Sequence, residues 1–239
     1  MSRAFAHVLA RLVGRAAALT PDQRRRLAAW RSLPDPPDGP ASEARWIVID
    51  VESSGLNARR DALIAVGAVA VVARRIALGE SYYRVLRQQT PSGADNILVH
   101  RIGGTEQLEG EDPRDVLIGL LEFAGKAPCV GYNAPFDAAM LERAARTWLG
   151  ERPRLSWLDL AWLGPAVARE IAGPGQPLDV WLRALGMPSA GRHHALADAF
   201  ATAQLLLVLE RRAAEQGIRT VAELRKASAA QRWLARGTR

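Results

Sequence analysis

The chain holds one cysteine, Cys129, in its 239 residues. A single thiol can form neither an intrachain disulfide nor a cysteine-based zinc cluster, so the default setting is a reducing compartment and a cytoplasmic location. Cys129 lies in the apolar stretch Ala127–Val130 and reads as core filler. Lysine is almost missing: Lys126 and Lys226 are the only two, and arginine carries the rest of the positive charge. No apolar run approaches the roughly 20 residues that span a bilayer. Aromatic residues are 6% of the chain, whereas hydrophobic residues reach 49%, enough for a substantial globular core.

What is present in excess is positive charge, a formal +7, which favours a polyanionic partner. Much of it is local. Residues 211–239 carry eight basic groups against two acids, Glu215 and Glu223. Such a segment is read equally well as a solvated helical face or as a phosphate contact.

Along the chain, residues 1–20 place Phe5, Val8, Leu9, Leu12 and Val13 at helical spacing among Arg3, Arg11 and Arg15. This fits an amphipathic helix, with an organelle transit peptide as the alternative. Thr20 and Pro21 suit the start of a further helix. Residues 32–42 are rich in proline and acid and predict a linker. The main domain is expected over residues 45–210, between a helical extension with its linker (residues 1–44) and a basic helical extension (residues 211–239).

Within the main domain the apolar run Trp46–Ile49 predicts a buried strand, followed by strands over 62–72 and 76–86 as an antiparallel meander. A strand–helix alternation follows. Helices are expected over 113–123, 135–149, 178–185 and 195–212, with another over 221–234, and short strands over 128–132 and 155–158. Strands first and alternation later predict an α/β mixed sheet with flanking helices.

Four acids lie in three separate segments: Asp50 and Glu52 at the end of the first strand, Asp137 after the strand at 128–132, and Asp198 near the start of the helix at 195. Residues two apart on a strand project from one face, so Asp50 and Glu52 can serve one cluster. Ser53, Ser54 and Gly55 form a turn that brings backbone N–H groups towards a phosphate or sugar. Asn133 can cap the helix begun by Pro135, leaving Asp137 in its first turn, where an acid is also stabilising without any function. His193 can converge with Asp198 only from the loop before the helix, which Gly191 permits. Four carboxylates offset the charge of two divalent ions; hard oxygen donors suit Mg2+, with Mn2+ as substitute. Two such ions are what phosphodiester hydrolysis requires, with a histidine beside them as base.

Three segments carry a family resemblance. Ile49-Asp-Val-Glu-Ser-Ser-Gly-Leu56, Val130-Gly-Tyr-Asn-Ala-Pro-Phe-Asp137 and Arg192-His-His-Ala-Leu-Ala-Asp-Ala199 resemble the three motifs of the DEDD-type 3′–5′ exonucleases, histidine branch, and look most like polymerase III epsilon-type proofreading subunits. Weaker echoes are Val99–Ile102 and Pro177–Asp179. The resemblance spans about residues 45–210. It implies a ribonuclease H-like fold and two bound metal ions. Asp50 would bridge both, Glu52 and Asp198 would hold the one that activates water, Asp137 would serve the other, and His193 would be the general base, with His194 as runner-up. Leu56 would wedge against the terminal base, and Phe136 would pack near the 3′ end or in the core. Ser53 and Ser54 depart from the family's threonines, Tyr132 from its histidine and Ala65 from its glutamate. The implied activity is hydrolysis of single-stranded DNA from the 3′ end, in proofreading or repair, with a polymerase subunit as a possible partner. An RNA-trimming enzyme and a non-catalytic nucleic-acid-binding subunit are the alternatives. Gln204-Leu-Leu-Leu207 reads as helical core, not as a clamp-binding peptide.

Overall fold

The computed structural model describes residues 18–36, 38–187 and 193–237. The amphipathic pattern at residues 5–13 and Gly191 lie outside them. Five strands form one sheet in the order β3-β2-β1-β4-β5. They are β1 (Trp46–Ser53), β2 (Leu63–Val72), β3 (Arg75–Val85), β4 (Cys129–Gly131) and β5 (Trp157–Asp159). The first three pair antiparallel as the expected meander, and β4 and β5 add in parallel beside β1. The mixed sheet with flanking helices is the ribonuclease H-like arrangement that the resemblance implies.

Each face of the sheet is closed by its own apolar layer. On β1, Trp46 and Val48 face one layer, while Ile47, Ile49 and Val51 face the other. The first layer is closed by α6 (Leu160–Val167), α7 (Leu178–Ala184), α8 (Ala195–Glu215) and α9 (Val221–Gly237). The second is closed by α1 (Pro21–Arg31), α4 (Pro113–Ala124) and α5 (Ala134–Trp148). Burial on both faces explains why β1 and β2 are continuous apolar runs rather than alternating ones. Cys129 is fully buried in the second layer, and burial pushes its thiol up to about 12. Leu205 and Leu206 are fully buried on α8, as expected of core.

Three helices lack a sequence signal: α2 (Ala94–His100), α3 (Gly104–Glu109) and α6. The first two are too short to show an amphipathic period, and α6 contains Pro165. The described parts of the two expected extensions, residues 18–36, 38–44 and 211–237, include helices packed against the body. Thr20 caps α1 in a reciprocal box with Gln23, and α1 buries Leu27 and Trp30 against the second layer. Arg26 reaches Glu122 and Asp115 on α4, and Trp30 Nε1 donates to Gly125 O at 2.7 Å. The expected boundary at residue 210 falls inside α8, which runs to Glu215. The proline-rich linker is pinned to the start of α9 by Ala41 N–H donating to Arg219 O at 2.8 Å.

Trp30 is 6% exposed. Trp30→Ala should cost roughly 3–5 kcal/mol, the usual loss for an aromatic deleted from a core. In urea this would read as a lower midpoint with unchanged slope; an unchanged midpoint would mean that α1 adds nothing to the fold.

Candidate active site

Asp50 and Glu52 follow the β1 residues that face the first layer, so both carboxylates are turned towards α8. Asp198, in the first turn of α8, meets them there. Carboxylate oxygens of Asp50, Glu52 and Asp198 all lie within 4.8 Å of one another. Glu52 and Asp198 are buried and Asp50 is half-buried. Such a close set of anions, partly removed from water, is a cost to the fold unless cations offset it. The set consists of hard oxygen donors, which fits Mg2+ or Mn2+ rather than a soft metal.

The close approach of α8 to the sheet depends on Gly67. A Cβ on Gly67 would lie 2.2 Å from the backbone of Ala195 and Leu196, at the first residues of α8. Gly67 pairs with Asp50 across β1 and β2, so the helix touches down beside the acids.

Asp137 stands apart from this trio. It lies in the first turn of α5, a helix of the second layer. Its Oδ1 accepts from Val51 N–H at 3.2 Å, between the two β1 acids. Burial raises its carboxyl well above the usual range; Asp159 and Glu52 push the same way, against the hydrogen bonds from its own N–H and that of Val51. Three acids are thus gathered within one small radius, and the fourth is anchored behind them.

His193 lies in the loop before α8, as convergence requires, with a left-handed backbone (φ 64°). Its N–H donates to Asp198 Oδ2 at 3.2 Å and its side chain is exposed. His194 is the N-cap residue, and its ring stacks on Tyr83 of β3 at 4.5 Å.

The turn after β1 holds itself together through its own side chains. Ser53 Oγ donates to Gly55 O at 2.7 Å, and Ala62 N–H donates to Ser54 Oγ at 2.8 Å. These hydroxyls brace the loop, while Leu56 at its tip is 94% exposed. Phe136 is half-buried and packs on the second layer. Asn133 occupies the N-cap position of α5 but makes no side-chain cap bond. Capping needs an extended backbone, and Asn133 is left-handed (φ 63°). Its N–H instead donates to Asp159 Oδ1 at 2.9 Å.

Asp159 is a residue that motif reading missed. It ends β5 and accepts from Asn133 N–H and Ala161 N–H, tying the α5 and α6 starts together. Burial raises its carboxyl, opposed by those hydrogen bonds and by Arg232. An acid ending a parallel strand beside the Asp137 segment was the available signal. His100 and Asn96 were a second omission, flagged only by the echo at Val99–Ile102. Ile102 N–H donates to His100 Nδ1 at 3.0 Å, so the ring proton sits on Nε2 and points to Asn96 Oδ1 at 2.8 Å. Asn96 Nδ2 then donates to Ser53 O at 3.0 Å. This relay thereby fixes the carbonyl next to Glu52.

The exonuclease family model matches residues 47–206. The chain belongs to the exonuclease family. Members are phosphodiester hydrolases that generally use divalent metals, and the acid cluster here suits that use. Among curated relatives, the polymerase III subunit epsilon-like protein of Rhodobacter capsulatus is 31% identical over 71% of this chain and 24% of its own length. DNA polymerase III subunit epsilon of Haemophilus influenzae is 27% identical over 69% of this chain and 67% of its own. Among solved structures, E. coli exonuclease I in complex with a dT13 oligonucleotide superposes with a TM-score of 0.60 at 18% identity, covering 73% of this chain and 42% of that one. The chain spans less than a third of the length of the first curated relatives it matches, 29% and 13% in two of them. Among the described residues no helix is long and apolar enough to cross a membrane.

Gly67→Ala should lift the start of α8 from the sheet, lowering both stability and activity; a variant with wild-type activity would show that the close approach is dispensable. A second outcome concerns pH. Burial lowers the proton affinity of His100 in the fold, against Glu106 and a backbone hydrogen bond that favour the proton. The unfolded chain takes up that proton near pH 6.5, so the stabilisation is present above about 6.5 and fades as pH falls below it. The stability difference between wild type and His100→Gln should shrink between pH 7.5 and 5; a constant difference would contradict the assigned ring state.

Proposed function

We propose that the chain is a two-metal 3′–5′ exonuclease that hydrolyses phosphodiester bonds at the 3′ end of single-stranded DNA and releases nucleoside monophosphates. The observation that carries this reading is the meeting of Asp50, Glu52 and Asp198 within 4.8 Å, from two elements far apart in sequence. The family match supports the chemistry, and the dT13 oligonucleotide held by exonuclease I in its complex supports single-stranded DNA as substrate. The epsilon-type relatives support proofreading or repair as its setting and a polymerase subunit as partner.

Asp50, the most solvent-accessible of the trio, would help to hold the Mg2+ ions. Glu52 and Asp198 would share that task, with Asp137 as the fourth acid. Bound ions of this kind supply hydroxide near neutral pH and neutralise charge on the attacking and leaving oxygens. His193 takes a proton from the attacking water: its side chain is exposed, and its backbone is tied to Asp198. His194 suits that role less, because its ring is engaged with Tyr83. Leu56 and the Ser53–Gly55 turn would flank the terminal nucleotide, with Leu56 against its base. Asn133 and Phe136 would border the same end, beside Asp137.

Digestion of matched 5′-labelled DNA and RNA oligonucleotides, with Mg2+, Mn2+ or chelator, tests the reading. Stepwise shortening of DNA from the 3′ end with a divalent ion, and none with chelator, is expected. Faster RNA trimming would redirect the assignment to an exoribonuclease, and no cleavage would leave a binding subunit. Asp50→Ala and Asp198→Ala should abolish hydrolysis while the thermal transition stays cooperative. His193→Ala should lower kcat by about 10²–10⁴, the range for a general base. A larger loss in His194→Ala would transfer the role to His194.

A further inference from the structure

The helix α9 has two faces of opposite character. Leu224 and Ser228 are buried, facing α6 and β5. Ser228 Oγ donates to Asp159 O at 2.9 Å, and Arg232 acts on the Asp159 carboxyl electrostatically. Asp159 in turn holds the N–H of Asn133, four residues before Asp137. One hydrogen-bonded chain therefore runs from α9 to the border of the acid site.

The opposite face is exposed and cationic. Lys226 and Trp233 are seven residues apart, on one stripe two turns long, about 10 Å along the axis. Ala229 and Ala230, both exposed, lie between them and leave a shallow track. Arg225 flanks it. Among the described residues Arg225 and Lys226 make no ion pair, in contrast to Arg26, Arg74 and Arg212. The one acid of the helix, Glu223, is spent on the N–H groups of Arg219 and Thr220 just before the first turn. Trp233 is 75% exposed, an apolar area with no structural use among the described residues. Cations that track phosphates, beside an aromatic face that stacks any base, are the two parts of a sequence-tolerant single-strand site.

We infer that α9 is a second binding site for the substrate strand, with Trp233 stacking a base upstream of the scissile end and Arg225 and Lys226 contacting phosphates. The inference rests on the nuclease reading for its substrate class. Charge complementarity and the tie through Asp159 favour nucleic acid over a protein partner for this face.

Binding to the full chain, measured in chelator with labelled oligothymidylates from a trinucleotide upward at several salt concentrations, tests it. Trp233→Ala should weaken binding of the long oligonucleotide roughly 10-fold or more, and Trp233→Phe should retain most of the affinity. Arg225→Ala with Lys226→Ala should flatten the salt slope by about 1.4, near 0.7 for each phosphate contact. All these variants should hydrolyse the trinucleotide at the wild-type rate when metal is supplied. Wild-type affinity and salt slope in the variants would overturn the inference, as a protein-docking face would produce. A wild type that binds long and short strands equally would overturn it too. If wild type cleaves nothing, while the variants still weaken binding, the nuclease reading fails and the binding face stands.

Discussion

The seating of α8 on the sheet at Gly67 is the constraint on which the rest depends. A strand end can present two carboxylates on one face, but it cannot supply the third from another layer. That acid arrives on a helix, and only a residue without Cβ lets the helix backbone come within reach of β2 beside Asp50. The apolar layer under α8, with Leu205, Leu206 and Leu209 fully buried, holds the contact against the mutual repulsion of the acids. Hydrophobic burial thus offsets an electrostatic penalty that a bound cation would relieve.

The same logic explains why the fourth acid is set apart. Asp137 comes from the helix layer on the other face, and its oxygen is held by a backbone N–H that the end of β4 leaves unpaired in the sheet. Two left-handed residues, Asn133 and His193, make the sharp entries into α5 and α8, the two helices that carry acids to the site. Each turn is secured by a backbone N–H on a carboxylate, Asn133 on Asp159 and His193 on Asp198. Backbone conformations of this kind persist only where the surroundings over-determine them.

Much of this was legible in the residues. The unbroken apolar runs of β1 and β2 announced strands buried on both faces, and the two-residue step from Asp50 to Glu52 announced a shared face. The five-residue step from Asp198 back to His193 required a loop, and α8 does begin at Ala195. Legibility stopped where chemistry depends on distant partners. Asn133 looks like a cap in sequence, but its side chain caps nothing, because its backbone is left-handed; its N–H is tied to Asp159 instead. The echo at Val99–Ile102 marks His100 but not its relay through Asn96 to Ser53. The segments that read as appendages carry turn residues and charge that resemble a linker and a solvated helix, yet Leu27, Trp30, Leu224 and Ser228 bury one face of each helix. Short α2 and α3 follow from packing, not from period.

A close set of hard oxygen donors is suited to holding divalent cations. Anomalous scattering from a crystal soaked in manganese measures this without reference to turnover or substrate. Density bounded by Asp50, Glu52 and Asp198, with Asp137 at its margin, is expected. Manganese bound elsewhere on the surface, with no density inside that trio, would contradict it.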